Sequence, residues 1–191
     1  MIGSLSGARM AIESPLLTDL NLIITGYIEP NRPRIARQLS ERLNLRLVDV
    51  ERQTEDRFGD SLDNIRSMYG ERRLKTVETD IMDEVVLHRS TVIRVNGSTL
   101  VSSGHLEILQ RTGPVICLVA SLDSILKRIH LTLGARYHNP AERAAAVGEL
   151  QREWKIREYD GIHEFDATYK QEADLIDEIA VFWRDIALRR G

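Results

Sequence analysis

A single cysteine, Cys117, stands in the whole chain, so no intramolecular disulfide framework is possible. Its setting, Val115-Ile116-Cys117-Leu118-Val119, makes it a buried core thiol. No apolar run approaches a membrane span, and the N-terminus lacks the basic-then-apolar build of a signal peptide, so a cytoplasmic protein is expected. An excess of either charge is missing as well. The 26 Lys and Arg nearly balance 29 Asp and Glu, and the net −3 gives no polyelectrolyte signal for nucleic acid or an anionic membrane. Internal repeats and low-complexity tracts are absent. What is present is 191 residues, 42% hydrophobic, enough for one globular domain with a sizeable core.

The most informative stretch is Asn21 to Arg37, NLIITGYIEPNRPRIAR. Leu22-Ile23-Ile24 reads as a buried strand, a turn opens at Gly26, and a helix is entered through Pro33. This is the layout of a phosphate-binding P-loop, G-x-x-x-x-G-K-[ST]. Gly26 holds the first position, but Asn31, Arg32 and Pro33 stand where Gly, Lys and Ser/Thr belong. Asn31 tolerates a left-handed backbone and keeps the loop's shape. Arg32 keeps the charge without the compact ammonium. Pro33 removes both a helix N-terminal N–H and the hydroxyl that would hold Mg²⁺. Pro30 deletes another donor, and Glu29 adds a carboxylate where phosphate oxygens would sit. The loop is expected to fold and not to bind Mg-ATP in the usual way.

The rest of the chain alternates strands and helices. The first helix carries Ile35, Leu39 and Leu43 on one face. Leu45–Asp49 forms a second strand ending on an acid. Helices follow at about Val50–Phe58, Ser61–Met68 with Ser61 as N-cap, and Glu71–Leu87 after Gly70. Thr91–Val95 is a third strand, followed by a polar turn Asn96-Gly97-Ser98 and a short helix at about Ser103–Gln110. Val115–Val119 is a fourth strand, and Ser121 caps the next helix. A polar stretch from Leu131 to Ala146 reads as a lid. A helix of about Ala141–Arg157, a last strand near Ala167-Thr168-Tyr169 and a closing helix of about Glu172–Leu188 complete the chain. This order defines an α/β fold, a parallel sheet flanked by helices on both faces. Residues 1–19 read as an N-terminal arm and 20–191 as one domain. Ligands in such sheets bind at the carboxyl ends of the strands, here Gly26–Pro33, Asp49 with Glu51, and Asn96–Ser98. Lys75 and Glu78 share a helix face at i and i+3, either as a solvated ion pair or facing a ligand.

Over roughly Leu20 to Leu188 this succession resembles the shikimate kinase family, P-loop kinases that use ATP and Mg²⁺. The family's Asp-x-Asp reads Asp49-Val50-Glu51, whose first acid would hold the substrate hydroxyl and whose second would lie near the metal. Its Phe-Arg-x-x-Glu reads Leu74-Lys75-Thr76-Val77-Glu78, with Lys75 in place of the Arg that clamps the substrate carboxylate. Its Gly-Gly-Gly turn reads Asn96-Gly97-Ser98. The resemblance gives Arg136 the place of the lid Arg that reaches the transferring phosphate, and Arg128 that of the adenine-side Arg. Lys155 stands for the second substrate-clamping Arg, in Lys155-Ile156-Arg157-Glu158-Tyr159.

Phosphoryl transfer is mostly positioning and electrostatic stabilisation by cations and metal, so losing the P-loop Lys and Ser/Thr together costs orders of magnitude in rate. The sequence therefore favours a pseudokinase with a degenerate P-loop that binds a small anion or serves regulation. On that reading Gly26, Asn31, Arg32, Arg34 and Arg128 surround phosphate. Asp49, Glu51, Lys75, Asn96, Gly97, Ser98 and Lys155 surround the ligand. An active small-molecule kinase is the alternative, with Arg32 or Arg34 replacing the Lys, Asp49 and Arg136 catalytic, and Asp49 or Glu51 on Mg²⁺. A structural subunit, docked on a protein partner through the arm, is the third.

Overall fold

The computed structural model describes residues 18–26, 31–134 and 138–190. In chain order the elements are β1 (Leu22–Thr25), α1 (Asn31–Leu43), β2 (Arg46–Asp49), α2 (Val50–Phe58), α3 (Leu62–Val85), β3 (Thr91–Arg94), α4 (Gly97–Ser103), α5 (Leu106–Thr112), β4 (Val115–Val119), α6 (Leu122–Leu133), α7 (Pro140–Trp154), β5 (Ile162–Asp166) and α8 (Glu172–Arg190). A 3₁₀ turn, Lys155–Glu158, joins α7 to β5.

The five strands form one parallel sheet in the order β2-β3-β1-β4-β5. β1 is central because LIIT is apolar on both faces, as a strand covered by helices on both sides requires. The alternation of strand side chains then divides the core. Leu22 and Ile24 pack with Ile35 and Leu39 of α1 and Ile179 and Trp183 of α8. Ile23 faces the other way, with Val77 and Ile81 of α3 and Leu109 of α5. The chain leaves β1 toward β2 and β3, then crosses to β4 and β5, so strand order reverses at β1 and leaves a crevice at the carboxyl ends.

Two glycine contacts hold the centre of the sheet together. Gly26 has φ +99°, and a Cβ there would run into Cys117 Sγ and lie 2.7 Å from the Leu118 carbonyl oxygen. At the opposite end, the side chain of Asn21 is wholly buried. It donates to the His88 carbonyl (2.8 Å) and Thr112 Oγ1 (3.0 Å) and accepts from the Thr91 N–H (3.1 Å). Its own carbonyl accepts from Trp183 Nε1 at 3.1 Å and crowds Gly113, where a Cβ would collide with it.

Several sequence expectations change. The last strand is Ile162–Asp166, not Ala167–Tyr169, and Tyr169 is almost fully exposed. Its polar sequence is tolerated because β5 is an edge strand paired only with β4. Asn96-Gly97-Ser98 is not a free turn: Asn96 is the N-cap of α4 and Gly97 its first residue. The single helix expected at Ser103–Gln110 is two, broken where Gly104 turns left-handed at φ +75°. The helices expected on either side of Gly70 do join there, but with a kink, as Gly70 at φ +78° leaves the helical region. The stretch read as a lid, 131–146, holds the end of one helix and the start of the next, and residues 135–137 within it lie outside the described residues. α6 runs to Leu133, and Asn139 caps α7, its side chain accepting from the Ala141 N–H at 3.0 Å. The expected arm lies outside the described residues, apart from Thr18 and Asp19.

Candidate functional site

At the carboxyl ends of β2 and β3 the sequence places a charged residue at the end of a fully buried strand. Arg94 ends β3, and the strand register sets it beside Asp49, the last residue of β2. Its guanidinium is only 6% exposed and clamps Asp49 from two sides, Nε to Oδ2 at 2.7 Å and Nη2 to Oδ1 at 2.6 Å. Nη1 reaches Glu51 Oε2 at 2.6 Å. Burial disfavours the charge on Arg94, but the hydrogen bonds and negative charges of Asp49 and Glu51 outweigh it and push its pKa above the ordinary value. Asp49 also caps α2, with Oδ1 accepting from the Arg52 N–H at 3.2 Å. The two acids are thereby fixed to the backbone on one side and to Arg94 on the other.

Beside this triad a cleft of about 450 Å³ opens between α3, α4 and the end of α7. Lys75 and Glu78 of α3, Asn96 and Ser98 at the start of α4, and Glu149, Arg152 and Glu153 of α7 line it, with Glu51 at its wall. Its charges are mostly matched internally. Arg66 Nε donates to Glu71 Oε2 at 2.9 Å. Glu153 is 3% exposed, and its carboxylate accepts from the Gly97 N–H at 2.7 Å, the Ser98 N–H at 3.3 Å and the Ser98 hydroxyl at 2.6 Å. A carboxylate that takes three donors at the start of α4 satisfies helix N–H groups that have no partner within the helix. Burial, aided by the nearby charge of Glu71, raises the pKa of Glu78 to about 7. Lys75 and Arg152 are exposed, and among the described residues no carboxylate pairs with either.

The structure thus brings together Glu51, Lys75, Asn96 and Ser98 as expected, and Gly97 with them as a buried backbone donor. Lys75 and Glu78 share the cleft with Thr99 of α4, whose proximity opposes the upward shift of Glu78. Lys155 does not line the cleft. It is exposed in the 3₁₀ turn, because α7 ends at Trp154 and turns Arg152 and Glu153 to the site instead. Arg34, expected on phosphate, pairs with Glu172 at the start of α8, with Nε to Oε2 at 3.0 Å, because the packing of α1 on α8 brings the two side chains together. Gly26 lies at the end of β1, as the P-loop reading required. Residues 27–30 and Arg136 lie outside the described residues, as do the side chains of Asn31, Arg32 and Arg128. α1 nevertheless begins at Asn31, so Pro33 falls in its first turn and removes one of its free N–H donors. Sequence reasoning missed Arg94 and Glu153. A charged side chain in a strand bounded by buried residues must have a partner, and that signal was available for Arg94.

The residues do not fit the Mg²⁺ that the resemblance implies. Both oxygens of Asp49 and one of Glu51 face the Arg94 guanidinium, so a cation already sits between the two acids and takes the oxygens that a metal ion would need. Among the described residues no group of three or more His, Cys, Asp or Glu is placed to hold a metal ion.

A parallel five-stranded sheet with a left-handed glycine at the end of its central strand and a polar cleft at its carboxyl ends defines a P-loop-kinase-type α/β domain. The family model for shikimate kinase matches residues 33–182, and the chain belongs to that family. It is 32% identical over 148 residues to a shikimate kinase of Thermus thermophilus, covering 75% of this chain and 79% of that one. A Caldicellulosiruptor bescii shikimate kinase is 28% identical over 109 residues; the match covers 57% of this chain and spans 63% of that relative's length. Among solved structures, a Bacteroides thetaiotaomicron shikimate kinase superposes with a TM-score of 0.71 at 17% identity over 87% of this chain and 97% of its own, a likeness of fold.

Proposed function

We propose that this shikimate-kinase-family protein binds a small anionic molecule in the cleft between α3, α4 and α7, and does not perform metal-assisted phosphoryl transfer in the manner usual for a P-loop kinase. The observation that carries the reading is Arg94. Its guanidinium takes up the two carboxylates that the family resemblance assigns to substrate hydroxyl and metal. Pro33 in the first turn of α1 supports the same reading, because it removes a phosphate-facing donor and offers no hydroxyl. Glu51 and Glu71 are held by arginines, Glu153 by the start of α4, and burial lifts Glu78 to about 7, while Lys75 and Arg152 are exposed cations without a carboxylate partner among the described residues, and it is these two that support an anionic ligand. An ordinary carboxylate or phosphate monoester suits such a pair.

The kinase reading keeps one specific support, the identity with relatives named shikimate kinase from a family of ATP-dependent kinases. A turnover assay that follows ADP release from MgATP, with and without shikimate, separates the two. Turnover indistinguishable from the protein-free control is expected, together with a rise in melting temperature on adding a small carboxylate or phosphate that binds the folded state. Shikimate-dependent ADP release would establish the kinase and end the proposal.

A further inference from the structure

The geometry points to Arg94 as a permanent cation that the protein itself supplies between Asp49 and Glu51. Removing that guanidinium would leave a divalent-cation site in its place. This deepens the metal-independent reading above, but it is a statement about three side chains and is tested separately from ligand binding.

Three observations support it. First, one guanidinium spans both carboxylates, at 2.6–2.7 Å, so the two acids flank a single volume that a cation fills. Second, the convergence is set by the backbone. Asp49 is fixed by the register of β2 with β3 and by its cap on α2, and Glu51 lies in the first turn of that helix. The acids should therefore stay near one another when the cation is taken away. Third, the place is enclosed, with Arg94, Asp49 and Glu51 side chains 6%, 15% and 21% exposed. Two carboxylates at that depth need a counter-charge. Arginine meets the need with a planar fork whose bidentate contact matches Asp49, and it does so without regard to free metal concentration. A hard divalent ion bound by carboxylate oxygens and completed by water is the other way of meeting it. The two are mutually exclusive in this space.

The test uses Mn²⁺ as the probe and electron paramagnetic resonance to count free ion. Purified wild-type protein is expected to leave the free Mn²⁺ signal unchanged. Arg94→Ser, which vacates the guanidinium volume, is expected to deplete that signal with a dissociation constant on the order of 10⁻⁴–10⁻³ M, the range of weakly built carboxylate sites. Adding Asp49→Asn and Glu51→Gln to it should abolish the depletion. Should Arg94→Ser prove too unstable to purify without metal, its recovery in folded form when refolded with Mn²⁺ but not without is the expected result. Saturable Mn²⁺ binding by the wild type that Asp49→Asn removes would overturn the proposal. So would an Arg94→Ser protein, folded or refolded, that neither binds Mn²⁺ nor gains stability from it. Neither failure bears on whether the cleft binds a small anion, which the stability response of the wild type reports.

Discussion

Replacing Arg94 by methionine keeps most of the side chain's length and packing and deletes its charge. Three charge-assisted contacts of 2.6–2.7 Å disappear, and Asp49 and Glu51 are left facing each other where they are 15% and 21% exposed. Breaking a buried pair by removing one partner costs about 3–5 kcal/mol, mainly the penalty of the uncompensated charge. In a chain of this length each kcal/mol moves the melting temperature by roughly 2–4 °C, so Arg94→Met should lower it by about 6–20 °C. The assay is a thermal melt followed by circular dichroism, repeated as a urea titration to obtain the free energy. The control is the triple variant Asp49→Asn, Glu51→Gln, Arg94→Met. It has no charge in the triad and keeps the oxygen that caps α2, so it should recover most of the loss. A fall of less than about 2 °C in Arg94→Met, or a triple variant no better than the single, would refute the claim that Arg94 is the structural counter-ion of the acidic pair.

Three further outcomes follow from other residues. Glu78 has a folded pKa of about 7 against an ordinary 4.5, so above pH 4.5 the unfolded chain gives up a proton that the folded chain retains. Stability contributed by neutral Glu78 is therefore lost as pH rises from about 4.5 to 7, and Glu78→Gln should flatten that window and gain about 1–3 kcal/mol at pH 8 in urea melts. An unchanged pH profile would contradict the assignment. Gly26→Ala meets both a positive φ and a collision with β4, so it should cost at least about 2 kcal/mol in the same assay. Asn21→Ala removes the partners of the Thr91 N–H, the His88 carbonyl and the Thr112 hydroxyl; a loss of about 2–4 kcal/mol is expected, and a loss under about 1 kcal/mol would deny Asn21 its role.

Much of the scaffold was legible because apolar runs and punctuation agree. Val115–Val119 is bounded by Gly113-Pro114 and a capping serine, and both the strand and the Ser121 cap appear where the pattern places them. Ser61 likewise accepts from the Asn64 N–H, as an N-cap should. The failures have physical causes. β5 carries His163 and Glu164 because an edge strand needs only one covered side, so its alternation is too weak to outrank the neighbouring Ala167-Thr168. The α4–α5 break depends on Gly104 adopting a left-handed conformation, which sequence does not distinguish from a glycine inside a helix. In the site, Asp49 and Glu51 were found as an acidic pair, but their partner lies 45 residues away from Asp49 and meets it only through the register of β2 on β3. Glu153 was invisible for a similar reason: two of its three donors are backbone N–H groups, which side-chain identity does not reveal, and the third is the hydroxyl of Ser98, 55 residues away in sequence.

On the reading proposed above, the protein has exchanged the metal-dependent phosphate chemistry of its family for metal-independent binding. Calorimetric titration of the wild-type protein with ATP, in the presence and in the absence of Mg²⁺, tests it most directly. No Mg²⁺-dependent heat is expected at millimolar nucleotide. Micromolar binding of ATP that requires Mg²⁺ would contradict it, and would mean that the loop after Gly26 holds the metal nucleotide despite Pro33 and that Arg94 leaves the ion room.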